Sequence, residues 1–181
     1  FRRTHASPLE LTGCACRGSA RRLLGITMAK ASITDCAFSG GADQLEAGAA
    51  QVNLLRCVFD GAQDDGISAD GGMVTVKDTE LRGVAGIALK GEKGARISAD
   101  GLRVAKCREA LEGREGAKLA IANSSVSDVD VAAEAKKYEM RYGPVRIDLD
   151  KVTITNAKQR YKRGPESVIN VDGQSVNDTG N

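Results

Sequence analysis

Residues 32–41 read SITDCAFSGG: a short alternating run, a break at Thr34-Asp35, a second short run, then glycine. The chain says nearly the same thing before and after it, as ELTGCACRGS (10–19) and NLLRCVFDGA (53–62). Aligning Cys14, Cys36 and Cys57 and continuing gives Thr79, Leu102, Ser124 and Val152, in steps of 22, 21, 22, 23, 22 and 28 residues. Three positions earlier stand Leu11, Ile33, Leu54, Val76, Ala99, Ile121 and Leu149; two positions later stand Cys16, Phe38, Phe59, Leu81, Val104, Val126 and Ile154. Seven registers of apolar or small residues at one period are the signature of a repeat architecture.

The break between the two runs falls on Gly13, Asp35, Arg56, Asp78, Gly101, Asn123 and Lys151. Gly, Asp and Asn tolerate left-handed backbone angles best, so a tight corner is expected there, with modest strain at Arg56 and Lys151. Another strand row is read at Leu45, Ile67, Ile87, Leu111 and Val131, with glycine turns at Gly48, Gly71-Gly72, Gly91, Gly94, Gly113 and Gly116. Each unit thus offers three short strands and three turns. A unit this thin cannot bury its own apolar face, but stacked units can line a shared interior. The expected fold is all-β: a right-handed parallel β-helix (solenoid) of about seven coils of ~22 residues, in one domain over 1–181, with an insertion loop at 135–144. A leucine-rich horseshoe is excluded, because its Asn/Cys consensus and helical periodicity are absent; a β-sandwich would not hold one period for seven cycles.

Composition agrees. The 181 residues carry 21 Gly, only three Phe and three Tyr, and no Trp. Net charge is +2, which supplies no drive toward nucleic acid, and no apolar run is long enough for a membrane span. Five cysteines cannot all pair internally. Cys14, Cys36 and Cys57 are read as an interior ladder of small apolar residues rather than a metal site, since Cys14-Ala15-Cys16 lacks the usual zinc spacing. Cys107 stands outside that ladder and is read as a turn cysteine.

The repeats resemble the pectate-lyase-like superfold of parallel β-helix proteins. The stretch VDVAAEAKKYEMRYGPVRIDLDKVTITNA (129–157), followed by ESVINVDGQSV (166–176), is similar to the C-terminal β-helix of bacterial surface proteins that carry a CotH-type kinase domain upstream. The shared points are Ala132-Ala133, Lys136-Lys137, Tyr142-Gly143-Pro144 and Val171-Asp172-Gly173, and the likeness covers about 43–176. The resemblance implies an extracytoplasmic or cell-surface bacterial appendage and carries over no catalytic set.

Two candidate sites follow from the residues. The first is catalytic in kind: Asp43, Asp64 and Asp65 as calcium ligands of a polysaccharide lyase, with Lys90 or Arg114 as the base, against the plainer reading of a solvated turn ladder. A hydrolase is less favoured, because the only histidine, His5, lies at the N-terminus. The second is a basic, tyrosine-bearing patch for an acidic glycan: Lys136, Lys137, Tyr138, Arg141, Tyr142, Arg160 and Tyr161. The expected function is a non-catalytic structural or binding module with no cofactor, contacting polysaccharide or a partner domain; the alternative is a calcium-dependent carbohydrate-active enzyme. An upstream domain or a second copy is expected at the N-terminal end, near Leu9, Leu11 and Ile26, while VINVDGQSV is expected to close the other end as a last partial coil.

Overall fold

The computed structural model describes residues 8–19, 21–136 and 142–177. Among these lie eighteen strands. The first nine are β1 (Leu9–Thr12), β2 (Ala15–Gly18), β3 (Arg22–Thr27), β4 (Lys30–Thr34), β5 (Ala37–Gly40), β6 (Asp43–Leu55), β7 (Val58–Asp60), β8 (Ile67–Lys77) and β9 (Glu80–Arg82). The rest are β10 (Ile87–Glu92), β11 (Arg96–Asp100), β12 (Arg103–Arg114), β13 (Lys118–Ala122), β14 (Ser125–Lys136), β15 (Arg146–Asp150), β16 (Thr153–Arg163), β17 (Val168–Val171) and β18 (Gln174–Val176).

From β1 to β17 the strands pair in parallel from one coil to the next, giving a parallel β-solenoid of about seven turns. The first face holds β1, β4, the second halves of β6 and β8, then β11, β13, β15 and β17. The second face holds β2, β5, β7, β9 and the starts of β12, β14 and β16. The third holds β3, the first halves of β6 and β8, β10, and the ends of β12, β14 and β16. The long insertion appears as register: Arg96 pairs with Lys118, but Lys118 pairs with Arg146.

Left-handed corners make the coil. Between the first and second faces, Gly13, Asp35, Arg56, Asp78, Gly101, Asn123 and Lys151 all have φ between 48° and 68°. The corners stack by hydrogen bonds: the Asp35 N–H donates to the Leu55 carbonyl and the Arg56 N–H to that of Lys77, both at 3.0 Å. Arg56 also forks onto the Asp35 carboxylate at 2.7 and 2.8 Å, so the ladder holds a residue type that would not choose this conformation alone. A second corner row, with positive φ at Gly61, Gly83, Lys106, Asp128 and Asn156, leads to the third face. On the third corner Gly72 is required: at φ 78° a Cβ there would lie 2.3 Å from the Ala50 carbonyl oxygen.

Inward side chains stack in columns. Ile33, Leu54, Val76, Ala99 and Ile121 line one, and Phe38, Phe59, Leu81, Val104 and Val126 another, all buried. The Phe38 and Phe59 rings lie 4.7 Å apart and nearly parallel.

The cysteine row is more than apolar filling. All five cysteines are free thiols, and Cys36 and Cys57 are buried. The Cys36 Sγ accepts the Cys14 N–H at 3.3 Å. In the same way Thr79 Oγ1 accepts the Cys57 N–H at 3.3 Å, and Ser124 Oγ accepts the Leu102 N–H at 3.0 Å. The thiols and hydroxyls in turn donate to the carbonyl two residues back. A left-handed corner turns one amide away from the neighbouring strand, and a small Cys, Thr or Ser satisfies it from the next coil. Burial pushes the Cys36 and Cys57 thiols up, away from the reactive thiolate.

Four expectations need correction. Cys107 is not a turn residue: it follows the left-handed Lys106 into the interior, is 5% exposed and pairs with Val129. The third-face column runs Leu45, Ile67, Leu89, Leu111, Ala133, so Ile87 and Val131 were placed two residues early. Ile26 is buried, not part of an exposed end face. Finally, VINVDGQSV is a hairpin: after Asp172 and Gly173, both with positive φ, β18 runs antiparallel to β17.

Candidate functional site

Among the described residues, the buried charged side chains Asp65, Glu112 and Glu134 lie on or beside the third face. Leu111 and Gly113 point inward, so Glu112 between them points out; a Cβ on Gly113 would touch Val145 and Leu119 of the core. Strand register stacks Lys90, Glu112, Glu134 and Lys162 in one outward column, and Glu92, Arg114 and Lys136 in the next. Yet Glu112 and Glu134 are almost wholly buried.

The two columns lock together. The Lys136 Nζ donates to Glu112 at 2.6 Å and lies 2.8 Å from Glu134, with Glu109 at 3.8 Å. Lys162 reaches Glu134 at 2.8 Å. Arg114 contacts Glu112 through Nε and Glu92 at 3.2 Å through Nη1. Lys90 joins Glu92 at 3.3 Å to Asp65 at 3.0 Å. Asp65, Glu92, Glu109, Glu112 and Glu134 therefore face Lys90, Arg114, Lys136 and Lys162 across five coils.

Burial and charge act in opposite directions within the network. Burial would favour a protonated Glu134, but hydrogen bonds from Lys136 and Lys162 win and hold its carboxyl below the usual range. Burial would also discharge Lys136, but Glu112 and Glu134 keep it charged well above the ordinary lysine range. Glu109 is pushed up to about 7: burial is the main cause, Lys136 opposes it, and the charges of Glu112 and Glu134 add to it.

The oxygens of Glu109, Glu112 and Glu134 come within 4.8 Å of one another, a donor set suited to a hard cation. The Lys136 ammonium already stands against all three carboxylates, however, so this chain supplies its own cation there.

Two of the three proposed calcium ligands, Asp43 and Asp65, accept backbone amides of the next coil. The Asp43 Oδ1 accepts the Asp65 N–H at 3.4 Å, and the Asp65 Oδ1 accepts the Ile87 N–H at 3.1 Å. The other Asp65 oxygen takes Lys90, and Asp64 is exposed. Asp65, Lys90 and Arg114 all belong to the network, Lys90 pairing with Asp65 and both cations with Glu92.

The glycan patch is divided. Lys136 is committed to carboxylates. Tyr161 pairs beside Ala133 in the inward column and is 9% exposed, so its ring is core and cannot stack on a ligand. Arg160 is exposed, and Tyr142 is half-buried with its backbone against Gly116. Lys137, Tyr138 and Arg141 lie outside the described residues. Sequence reading missed Glu92, Glu112 and Glu134, and took Lys162 only as part of the basic C-terminal stretch and Glu109 only as a turn residue, although the spacing of 90, 112, 134 and 162 repeats the coil period with its insertion.

No known protein family, no curated protein and no solved structure matches this chain. No helix among the described residues is long and apolar enough to cross a membrane.

Proposed function

We propose that the chain is a non-catalytic structural and binding module of an extracytoplasmic bacterial protein, contacting polysaccharide or a partner domain. One observation carries this reading: the buried carboxylates of the third face are already matched to lysine and arginine. A glycosidase needs one carboxyl to give a proton and another left free to attack or to activate water. A calcium lyase needs carboxylates open to the ion. Here Glu112 and Glu134 are held by ammonium and guanidinium groups, and Asp65 spends both oxygens within the fold. The resemblance of 43–176 to the β-helix of CotH-type surface proteins, and to pectate-lyase-like folds generally, supports the extracytoplasmic placement. A partner domain would meet the outer edges of β1, β2 and β3, each of which pairs on one side only among the described residues. Leu9 and Leu11 are partly exposed there.

One feature favours the enzymatic alternative. Glu109, pushed up to about 7, is suited to proton transfer near neutrality. A screen of uronate polymers with calcium, read by the ultraviolet absorbance of unsaturated products, separates the two. We expect no turnover. Product formation that disappears in Glu109→Gln would establish the enzyme instead.

A further inference from the structure

The first face treats its cations differently from the third. Arg96, Lys118 and Arg146 occupy one outward column on β11, β13 and β15, directly opposite one another on successive strands, and all three are exposed. Neighbouring coils lie about 4.8 Å apart, and like charges directly opposite across a sheet are unfavourable. On the third face Lys90, Arg114, Lys136 and Lys162 each meet a carboxylate. Here Arg146 Nε is paired with Asp148 at 2.7 Å, but Arg96 and Lys118 have no ion pair or side-chain hydrogen bond among the described residues. Alongside runs a groove of about 340 Å³ whose floor column is Thr75, Ser98 and Ala120, closed at one end by Asp148, and whose far side is Lys77, Asp100, Ala122 and Asp150.

We propose that this face binds an extended acidic polysaccharide lying parallel to the solenoid axis; the inference rests on the reading of the chain as a binding module and names its ligand class and face. Acidic groups of the polymer pair with Arg96, Lys118 and the free edge of the Arg146 guanidinium, relieving the stacked positive charge. Sugar hydroxyls donate to Asp100 and Asp150 across the groove, and the small residues of the floor let the ring approach. The coil repeat is close to the length of one pyranose unit, so successive coils present equivalent contacts.

The test is affinity electrophoresis through gels containing alginate, dextran sulfate or neutral dextran. Alginate should retard the wild type, less so at high salt, and neutral dextran should not. Arg96→Ala with Lys118→Ala should weaken alginate binding at least tenfold. Arg103→Ala with Lys106→Ala, removing the same charge from another part of the coil, should change it less than twofold. Circular dichroism checks that both variants fold. No retardation by alginate, equal weakening in both variants, or retardation by dextran sulfate alone would overturn the proposal. Alginate binding that survives the Arg96/Lys118 change removes this face but leaves the module reading; cleavage of alginate removes the module reading but leaves the face.

Discussion

The Thr79 hydroxyl accepts the backbone N–H of Cys57 at 3.3 Å, from 22 residues further along the chain. Both residues are buried. Thr79→Val keeps the shape and deletes the acceptor, which leaves an amide unsatisfied in the core. The expected loss is about 1–3 kcal/mol in urea unfolding, with Thr79→Ser close to wild type. Equal stability of Val and Thr at this position would show that the corner amide needs no partner from the next coil.

Phe59 is fully buried and stacked on Phe38. Phe59→Ala should cost about 3–5 kcal/mol, through lost burial and the cavity left behind. Phe59→Leu should cost less. A melting temperature unchanged by the alanine would contradict a filled interior.

Lys136 is the cation around which Glu112 and Glu134 are buried. Lys136→Met should destabilise by about 3–5 kcal/mol, because it strands charge in a dry site. Adding Glu112→Gln to that variant should restore part of the loss. If the second substitution instead deepens it, the two residues do not act as a pair.

Glu109 gives the fold a pH dependence of defined sign. Its carboxyl titrates near 7 in the folded chain and near 4.5 when unfolded, so between these values the folded state holds more protons. This contribution to stability is present below about pH 4.5 and declines as pH rises toward 7. Glu134, whose pKa is lowered, works the other way: its contribution is present above the unfolded value and fades as pH falls through the folded one. In Glu109→Gln the difference in stability between pH 5 and pH 7 should shift in favour of pH 7. Parallel wild-type and variant curves from denaturant titrations would rule the assignment out.

Lys151 sits at φ 51° in a corner where other coils use Gly13 and Gly101. Lys151→Gly should stabilise by about 0.5–1 kcal/mol, since relief of left-handed strain exceeds the added chain entropy. A loss on thermal melting would mean that the lysine side chain contributes more than its backbone costs.

The first two faces were legible because small and apolar residues recur there at one period beside corner residues with a strong backbone preference. Ile33, Leu54, Val76, Phe38 and Phe59 fell where the period placed them. The third face was not read correctly, because alternation has a period of two and a two-residue slip keeps every side chain on its side of the sheet. Taking Ile87 for Leu89 left the pattern apolar and plausible. It also separated Lys90 from Glu112, so the charge columns dissolved into apparent turn residues. The role of the cysteines was hidden for another reason: a thiol, a hydroxyl and a small apolar group are interchangeable in a volume pattern, and only the direction of the Cys14, Cys57 and Leu102 amides reveals what the heteroatoms do.

A parallel solenoid has no built-in length. Every coil presents to the next the same ladder it received, which is the geometry of a growing fibre. The reversal at Asp172-Gly173 interrupts that logic on one side of the molecule. By folding β18 back against β17, the chain occupies with its own antiparallel strand the site where an incoming parallel strand would dock. The hairpin thus works as a cap on the first face: the outer edge of β17 is already taken, so a parallel strand from another molecule cannot add to it there.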